Sequence, residues 1–436
     1  MGNVHYGWVL TLSFLILLLL GQGIERLTEG LTYFAWLHAL ELALLSFLYR
    51  KHTLLFGFLV FNFLFSLELL VAVYMGLPLV QVLRQQHIPE IYFLGTLLFA
   101  FLFIPAPAAA NAGKYLFEPH LEAGWLVHPL LLMGFILVAF AFNGEIAIGR
   151  EYDAYLENIE ETSGIVDYLL YLFIFIGLIK RDRGQNIGFV LLLAFYLAKT
   201  ALLGFRVHSI MAVIALYALV YRRNLAPWKS LLLLAIGYVA ATYLGYLKDG
   251  LTLAAEPDLS LFGLMDTRHG YFQSHHMGVI TASSVVLDYL DSFPDALTSL
   301  GATILAGFAQ PVALKPHLPW IYVDHWVRQM EPTPGGFYFP VGFLALYGLA
   351  GVVAAGALLS VLVRRSLAGV QGRSPAVATL FITLFVLFPR WVSYEPIIFG
   401  LRPVIMVLAS SLLLGAVIRV LDARARMRPD PSGGAL

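Results

Sequence analysis

The sequence predicts an all-α polytopic membrane protein: about 12 transmembrane helices and one large outward loop. Three observations predict it. Hydrophobic residues make up 60% of the 436, well above a soluble domain. Apolar runs of about 17 to 25 residues recur along nearly the whole chain, each long enough to cross a hydrocarbon core as a helix. One long polar segment, 248–336, interrupts them. The alternation of a transmembrane β-barrel is absent.

The expected spans are 7–23, 27–48, 53–75, 91–107, 123–143, 164–180, 187–204, 208–221, 229–247, 338–363, 375–391 and 402–420. The first follows Met1-Gly2-Asn3-Val4-His5-Tyr6 directly. It lacks the positive leader and small-residue cleavage site of a signal peptide, so it reads as a retained span. The 27–48 run carries Glu29, His38 and Glu41, and 91–107 ends in Pro105-Ala106-Pro107. These two are the least regular of the set. The chain reads as a single membrane domain, 1–436: spans 1–9 in 1–247, the loop 248–336, spans 10–12 in 337–420, and a tail 421–436.

Twelve spans put both termini on one side, and the basic residues choose which. The links after even-numbered spans and the tail carry 16 of the 27 Lys and Arg, in clusters such as Arg50-Lys51, Lys180-Arg181 and Arg222-Arg223. The other side is acidic over 145–161, with Glu145, Glu151, Asp153, Glu157, Glu160 and Glu161. Both termini are therefore expected to be cytoplasmic and the long loop to face outward. Inside that loop, Val279–Phe293 has apolar residues at helical spacing and reads as an amphipathic helix on the membrane surface. Leu297–Ala309 is apolar but too short to span, as in a re-entrant or interfacial helix. Pro311, Pro316 and Pro319 then break the chain.

Composition also excludes. Lys+Arg and Asp+Glu are balanced at 27 each, so nothing points to nucleic acid. Cysteine is absent, which removes disulfides, thiolate nucleophiles and Cys-based metal sites. No phosphate-binding Gly-rich loop ending in Lys-Ser/Thr occurs, and no two spans carry the matched breaks of an inverted-repeat transporter.

The chemistry-bearing residues face outward. Arg206 lies in the turn Gly204-Phe205-Arg206-Val207-His208, while Arg390 and Arg402 flank the loop Trp391–Leu401. A guanidinium presents a planar fork that matches phosphate oxygens; the same arginines also suit interfacial anchoring. Lys199, one turn before the end of its span, is a charge in an expensive place. The long loop holds five of the twelve histidines, His269, His275, His276, His317 and His325, beside Arg268, Arg328, Asp324 and Glu331. His275 and His276 are adjacent, which suits hydrogen bonding to sugar or phosphate better than a zinc site; no metal is expected. Glycosyl transfer needs a base for the attacking hydroxyl, and the candidates are Asp266, Asp324, Glu331, Glu395, His275 and His276. Tyr394 and several loop aromatics could stack on sugar rings or form an interfacial belt.

Three stretches together carry a resemblance: Lys199–Arg223, the loop end Pro332-Thr333-Pro334-Gly335-Gly336-Phe337-Tyr338-Phe339-Pro340, and Phe388-Pro389-Arg390-Trp391 followed by Arg402. Over the part of the chain from Lys199 onward this order resembles the bacterial O-antigen and enterobacterial-common-antigen polymerases, related to the O-antigen ligases. The resemblance implies a membrane-embedded glycosyltransferase fold of the C type in the bacterial inner membrane, with its active site periplasmic. It implies that Arg206, Arg390 and Arg402, with Arg268 and Arg328, hold lipid pyrophosphates, and that no cofactor takes part. The implied substrates are undecaprenyl-pyrophosphate-linked oligosaccharides as donor and acceptor, and a chain-length regulator is an implied partner. At the short turn this chain has Gly-Phe-Arg where the family has Gly-Ser/Thr-Arg. Rival expectations are an O-antigen ligase, a flippase or transporter of lipid-linked oligosaccharide, and a non-enzymatic envelope scaffold.

Overall fold

The computed structural model describes residues 2–25, 32–77, 79, 83–109, 115–141, 152–250, 275–308, 316–331, 336–367 and 374–426. Among them the chain is helical throughout, with isolated bridges at Tyr115–Arg223 and Leu121–Ile179 and no strand. Within the described residues each of the twelve expected runs lies mostly on helix; 27–31 and 142–143 fall outside them. Among the described residues five stretches are long and apolar enough to cross a membrane: Thr53–Tyr74, Gln85–Phe103, Arg183–Leu202, Phe339–Leu367 and Ile397–Val420.

The helices that position the site are α1 (Gly2–Glu25), α2 (Tyr33–Tyr49), α3 (Thr53–Tyr74), α4 (Ile88–Phe99) and α5 (Val127–Ile136), then α6 (Tyr152–Leu178), α7 (Arg183–Leu202) and α8 (Arg206–Leu216). A π-turn, Tyr217–Tyr221, continues α8, and α9 (Pro227–Gly250) follows. Next come α10 (His275–Asp288), α11 (Ala296–Phe308), α12 (Val323–Arg328) and α13 (Phe339–Leu367), and finally α14 (Pro375–Val386), α15 (Phe388–Ser393) and α16 (Arg402–Arg426). Helices α1–α4 pack on one another with α4 against α13, and α5–α8 pack on one another with α6 against α14 and α16 and α8 against α14. The short α15 bridges the two groups by touching both α3 and α8.

The interior is aromatic. Phe34, Phe58, Phe65, Phe99, Phe103 and Phe173 are fully buried, as are Tyr49, Tyr92 and Tyr196. A phenol buried in an apolar bundle needs an acceptor. Each of these tyrosines donates to a backbone carbonyl of another helix or turn: Tyr49 to Leu102, Tyr92 to Phe65 and Tyr196 to Val166, at 2.7, 2.8 and 3.0 Å. The long α13 is broken at Gly348, where φ is 66° and ψ −169°. That conformation is essentially confined to glycine, so Gly348 fixes the break.

The loop helix α10 overturns one expectation. It does not lie on the surface: of His276–Leu287, all but Gly278 are buried, against α3, α4, α12 and α13. Hydroxyls explain how a helix with so many polar side chains can be buried. Thr281, Ser283 and Ser284 donate back to Met277 O, Val279 O and Thr281 O at 2.7 to 2.8 Å. Ser283 and Ser284 then accept from Tyr338 N at 2.7 Å and Arg84 N at 3.0 Å. Thr281 is satisfied once and Ser283 and Ser284 twice each, so burial costs little.

The next helix, α11, is a 13-residue element where a re-entrant or interfacial one is expected. Asp295 caps it through Leu297 N and Thr298 N, both at 3.0 Å. Its small and polar face, Ser299, Ala302, Thr303, Ala306 and Gly307, is buried, and it packs on α13 and α16. Leu297, Leu300, Ile304, Leu305 and Phe308 point outward. This reverses the pattern of a soluble helix and suits lipid contact.

Candidate functional site

Four helices that are far apart in sequence bring one charged cluster together. Asp167 of α6, buried at 8% exposure, accepts from His208 Nε2 of α8 at 2.9 Å. A terminal nitrogen of Arg390, on α15, lies 3.7 Å from the other Asp167 oxygen. Arg402, the first residue of α16 and 7% exposed, donates to the Tyr168 hydroxyl and lies over that ring at 5.3 Å. Local sequence aims these groups. Pro389 sits at the start of α15, where its missing N–H costs nothing, and the π-turn Ile397–Leu401 leads straight into Arg402. The Arg390 guanidinium is sandwiched by Phe399 at 4.1 Å and Tyr394 at 4.6 Å. Aromatic faces hold a cation in place without neutralising it.

The end of the long loop is stapled to this cluster. Both oxygens of Glu395 are engaged, accepting from Val323 N at 3.1 Å and Asp324 N at 2.9 Å, which caps the N-terminus of α12. Asp324 accepts in turn from Gly336 N at 3.1 Å and Arg328 Nε at 3.2 Å, and Phe337 N donates to Ser393 O at 3.0 Å. Gly336 has a φ of 77°, and any Cβ there would collide with the Ser393 carbonyl; only glycine closes the staple. Burial first, and then the nearby Asp324 charge, push the Glu395 carboxyl well above its ordinary range, against the pull of the two N–H donors and Arg390.

His275 joins the cluster from α10. Its ring is 6.1 Å from Tyr394 and 5.6 Å from His276. Burial, and then the charges of His276, Arg206 and Arg390, hold it well below the ordinary histidine range. It is therefore a neutral imidazole at neutral pH. Its buried Nε2 has no hydrogen-bond partner among the described residues. His276 faces away, donating from Nδ1 to Glu68 of α3 at 2.8 Å, where Tyr238 also donates at 2.9 Å. Phe61 and Phe65 enclose its ring at 5.0 and 4.5 Å.

Other sequence-predicted residues lie apart from this cluster. Glu331 belongs to a strut at the rim: it accepts from Arg84 at 2.8 Å and from Tyr289 at 3.3 Å, while Arg84 and His87 both donate to Asp288 at 2.9 and 2.7 Å. Burial alone would raise Asp288, but the hydrogen bonds and charges of His87 and Arg84 outweigh it and hold its carboxyl below the ordinary range. His325 is paired with Gln329 at 3.2 Å. Lys199 donates to Ala139 O at 3.1 Å. Arg268 and Asp266 lie outside the described residues.

Sequence reasoning missed Asp167, Tyr168, Glu68 and Arg84. For Asp167 and Glu68 the signal was present: a lone acidic residue in an apolar run is a functional candidate by default. The cluster as a whole carries the cations Arg390 and Arg402, with Arg206 acting on His275, around the buried carboxylate of Asp167. It is built to receive an anion, with an unprotonated imidazole beside it. Among the described residues no group of three His, Asp or Glu side chains is arranged to hold a metal ion. The chain matches no family model, and no curated protein or solved structure is similar enough to match it.

Proposed function

We propose that this chain is a metal-independent polysaccharide polymerase of the bacterial inner membrane. It transfers a growing glycan from its undecaprenyl-pyrophosphate carrier to a lipid-linked repeat unit on the periplasmic side. In this reading the chain crosses the membrane twelve times with both termini cytoplasmic, and it belongs with the type-C glycosyltransferases. The observation that carries the reading is the excess of guanidinium over carboxylate around Asp167, directly beside the neutral His275.

The chemistry follows from charge. The acceptor hydroxyl attacks the anomeric carbon, and the bond from that carbon to the pyrophosphate oxygen breaks. Negative charge grows on the departing pyrophosphate, where Arg390, Arg402 and Arg206 are the cations to stabilise it. The hydroxyl proton passes to His275, whose buried Nε2 is unprotonated at neutral pH and has no partner among the described residues. Asp167 and His208 hold Arg390 in place, and the two aromatic faces keep its charge undiminished.

The test is a glycan ladder in the native host lacking its own polymerase, complemented by this chain. Wild type restores the ladder. Arg390→Ala or Arg402→Ala collapses it to single repeats, and Lys at either position rescues poorly because a point charge cannot reproduce a planar fork. Normal ladders from every arginine variant would move the site elsewhere.

A further inference from the structure

The opposite end of α8 holds a second concentration of positive charge, which the proposed transfer does not use. After the π-turn Tyr217–Tyr221 the chain reverses at Arg222, whose φ of 57° makes it the one described non-glycine residue in the left-handed region. Arg222 Nε donates to Leu219 O at 2.9 Å. The same carbonyl accepts from a terminal nitrogen of Arg181, also at 2.9 Å. Two guanidiniums thus converge on one oxygen. Arg181 is fixed further by a hydrogen bond to Ile176 O and by the Phe189 ring, 4.3 Å from its centre.

Neither Arg181 nor Arg222 forms an ion pair with a carboxylate among the described residues, and the buried Nε of Arg181 has no acceptor. The nearest acidic residues in sequence are committed. Asp182 accepts from Gln185 N at 2.8 Å in the capping box of α7, and Glu122 pairs with Lys180. Burial, followed by the charge of Arg222, lowers the Arg181 pKa, yet a guanidinium stays protonated at neutral pH. Two fixed like charges, half-buried and turned toward each other, are unfavourable until an anion joins them.

We infer that Arg181 and Arg222 form a phosphate-binding site at this end of the bundle. The ligand is a phosphate group, carried either by an anionic phospholipid headgroup or by a soluble phosphate. The surroundings suit a membrane interface. The exposed Tyr221 directly precedes Arg222 and the exposed Trp228 opens α9, and Arg223 lies over the Tyr115 ring at 5.8 Å. Amphipathic aromatics of this kind sit at headgroup level.

The experiment uses the full-length chain in phosphatidylcholine nanodiscs. Two probes are titrated: inorganic phosphate in solution, and phosphatidylglycerol as a fraction of the lipid, with native mass spectrometry counting the lipid retained. The variants are Arg222→Gly, which suits the left-handed backbone and so preserves the fold, and Arg181→Gln. Either variant should weaken binding about tenfold, as expected for one lost charge-assisted contact. Phosphatidylglycerol retained in a variant-sensitive way, and not displaced by inorganic phosphate, identifies a headgroup site. Displacement by inorganic phosphate identifies a soluble ligand. If wild type binds neither probe, or Arg222→Gly binds both as wild type does, the inference is overturned.

Discussion

At the scale of single residues, the candidate site depends on one carboxylate holding two kinds of partner. Asp167 accepts from His208 and lies beside Arg390 in the bundle interior. Removing one member of a buried charged set leaves the others uncompensated, at a cost of about 3–5 kcal/mol. Asp167→Ala should therefore lower the thermal midpoint of the purified protein sharply, and Asp167→Asn less, because the amide oxygen can still accept from His208. Equal midpoints for all three proteins would show that the cluster is not held this way. Gly336→Ala meets both a forbidden φ and the Ser393 carbonyl. It should open the loop end to limited proteolysis while leaving the helices intact. These two positions differ in how far the sequence disclosed them. Gly336 lies in a Pro-Thr-Pro-Gly-Gly motif that announces itself. Asp167 is marked in the sequence only as a lone acid in an apolar run; its partners come from α8, α15 and α16, and no spacing rule links residues so far apart in sequence.

At the scale of elements, α10 holds the long loop in the bundle, and its two ends are tied differently. Its N-terminal end is tied by His276 to Glu68, and its C-terminal end by Asp288 to Arg84 and His87. The Asp288 carboxyl is held below its ordinary range. Its contribution to stability is therefore complete above the unfolded value near 3.9 and is lost as pH falls through the lower folded value. The thermal midpoint of wild type should fall on acidification in that window, and Asp288→Asn should fall less steeply from a lower start. Parallel curves would remove Asp288 from the strut. Ser283→Ala leaves the buried Tyr338 N–H without its acceptor and should cost about 1–3 kcal/mol, read as a lower midpoint. The helical positions were legible from the length of the apolar runs, each of which lies mostly on helix within the described residues. The burial of α10 was not. A serine or threonine reads as solvent-facing in a pattern, whereas here the hydroxyls bond back to their own helix and also accept from neighbouring chain.

At the scale of the whole molecule, the account commits to an orientation. The natural chain has no cysteine, so single-cysteine variants can be labelled without background. Asn224→Cys and Ser374→Cys should react with an impermeant maleimide only after the membrane is opened, and Gln86→Cys and Gln329→Cys in intact spheroplasts. The reverse pattern, or mixed labelling within either pair, would break the topology on which an outward site rests. The central claim is that the chain makes glycosidic bonds at the expense of a lipid pyrophosphate, and one measurement meets it most directly. Purified protein in proteoliposomes is given lipid-linked repeat units alone, and glycan length and released undecaprenyl pyrophosphate are followed together. The account predicts a ladder growing in step with released carrier, abolished by Arg390→Ala. Lipid-linked repeats that cross the bilayer, or stay where they are, with no lengthening and no carrier released would contradict it.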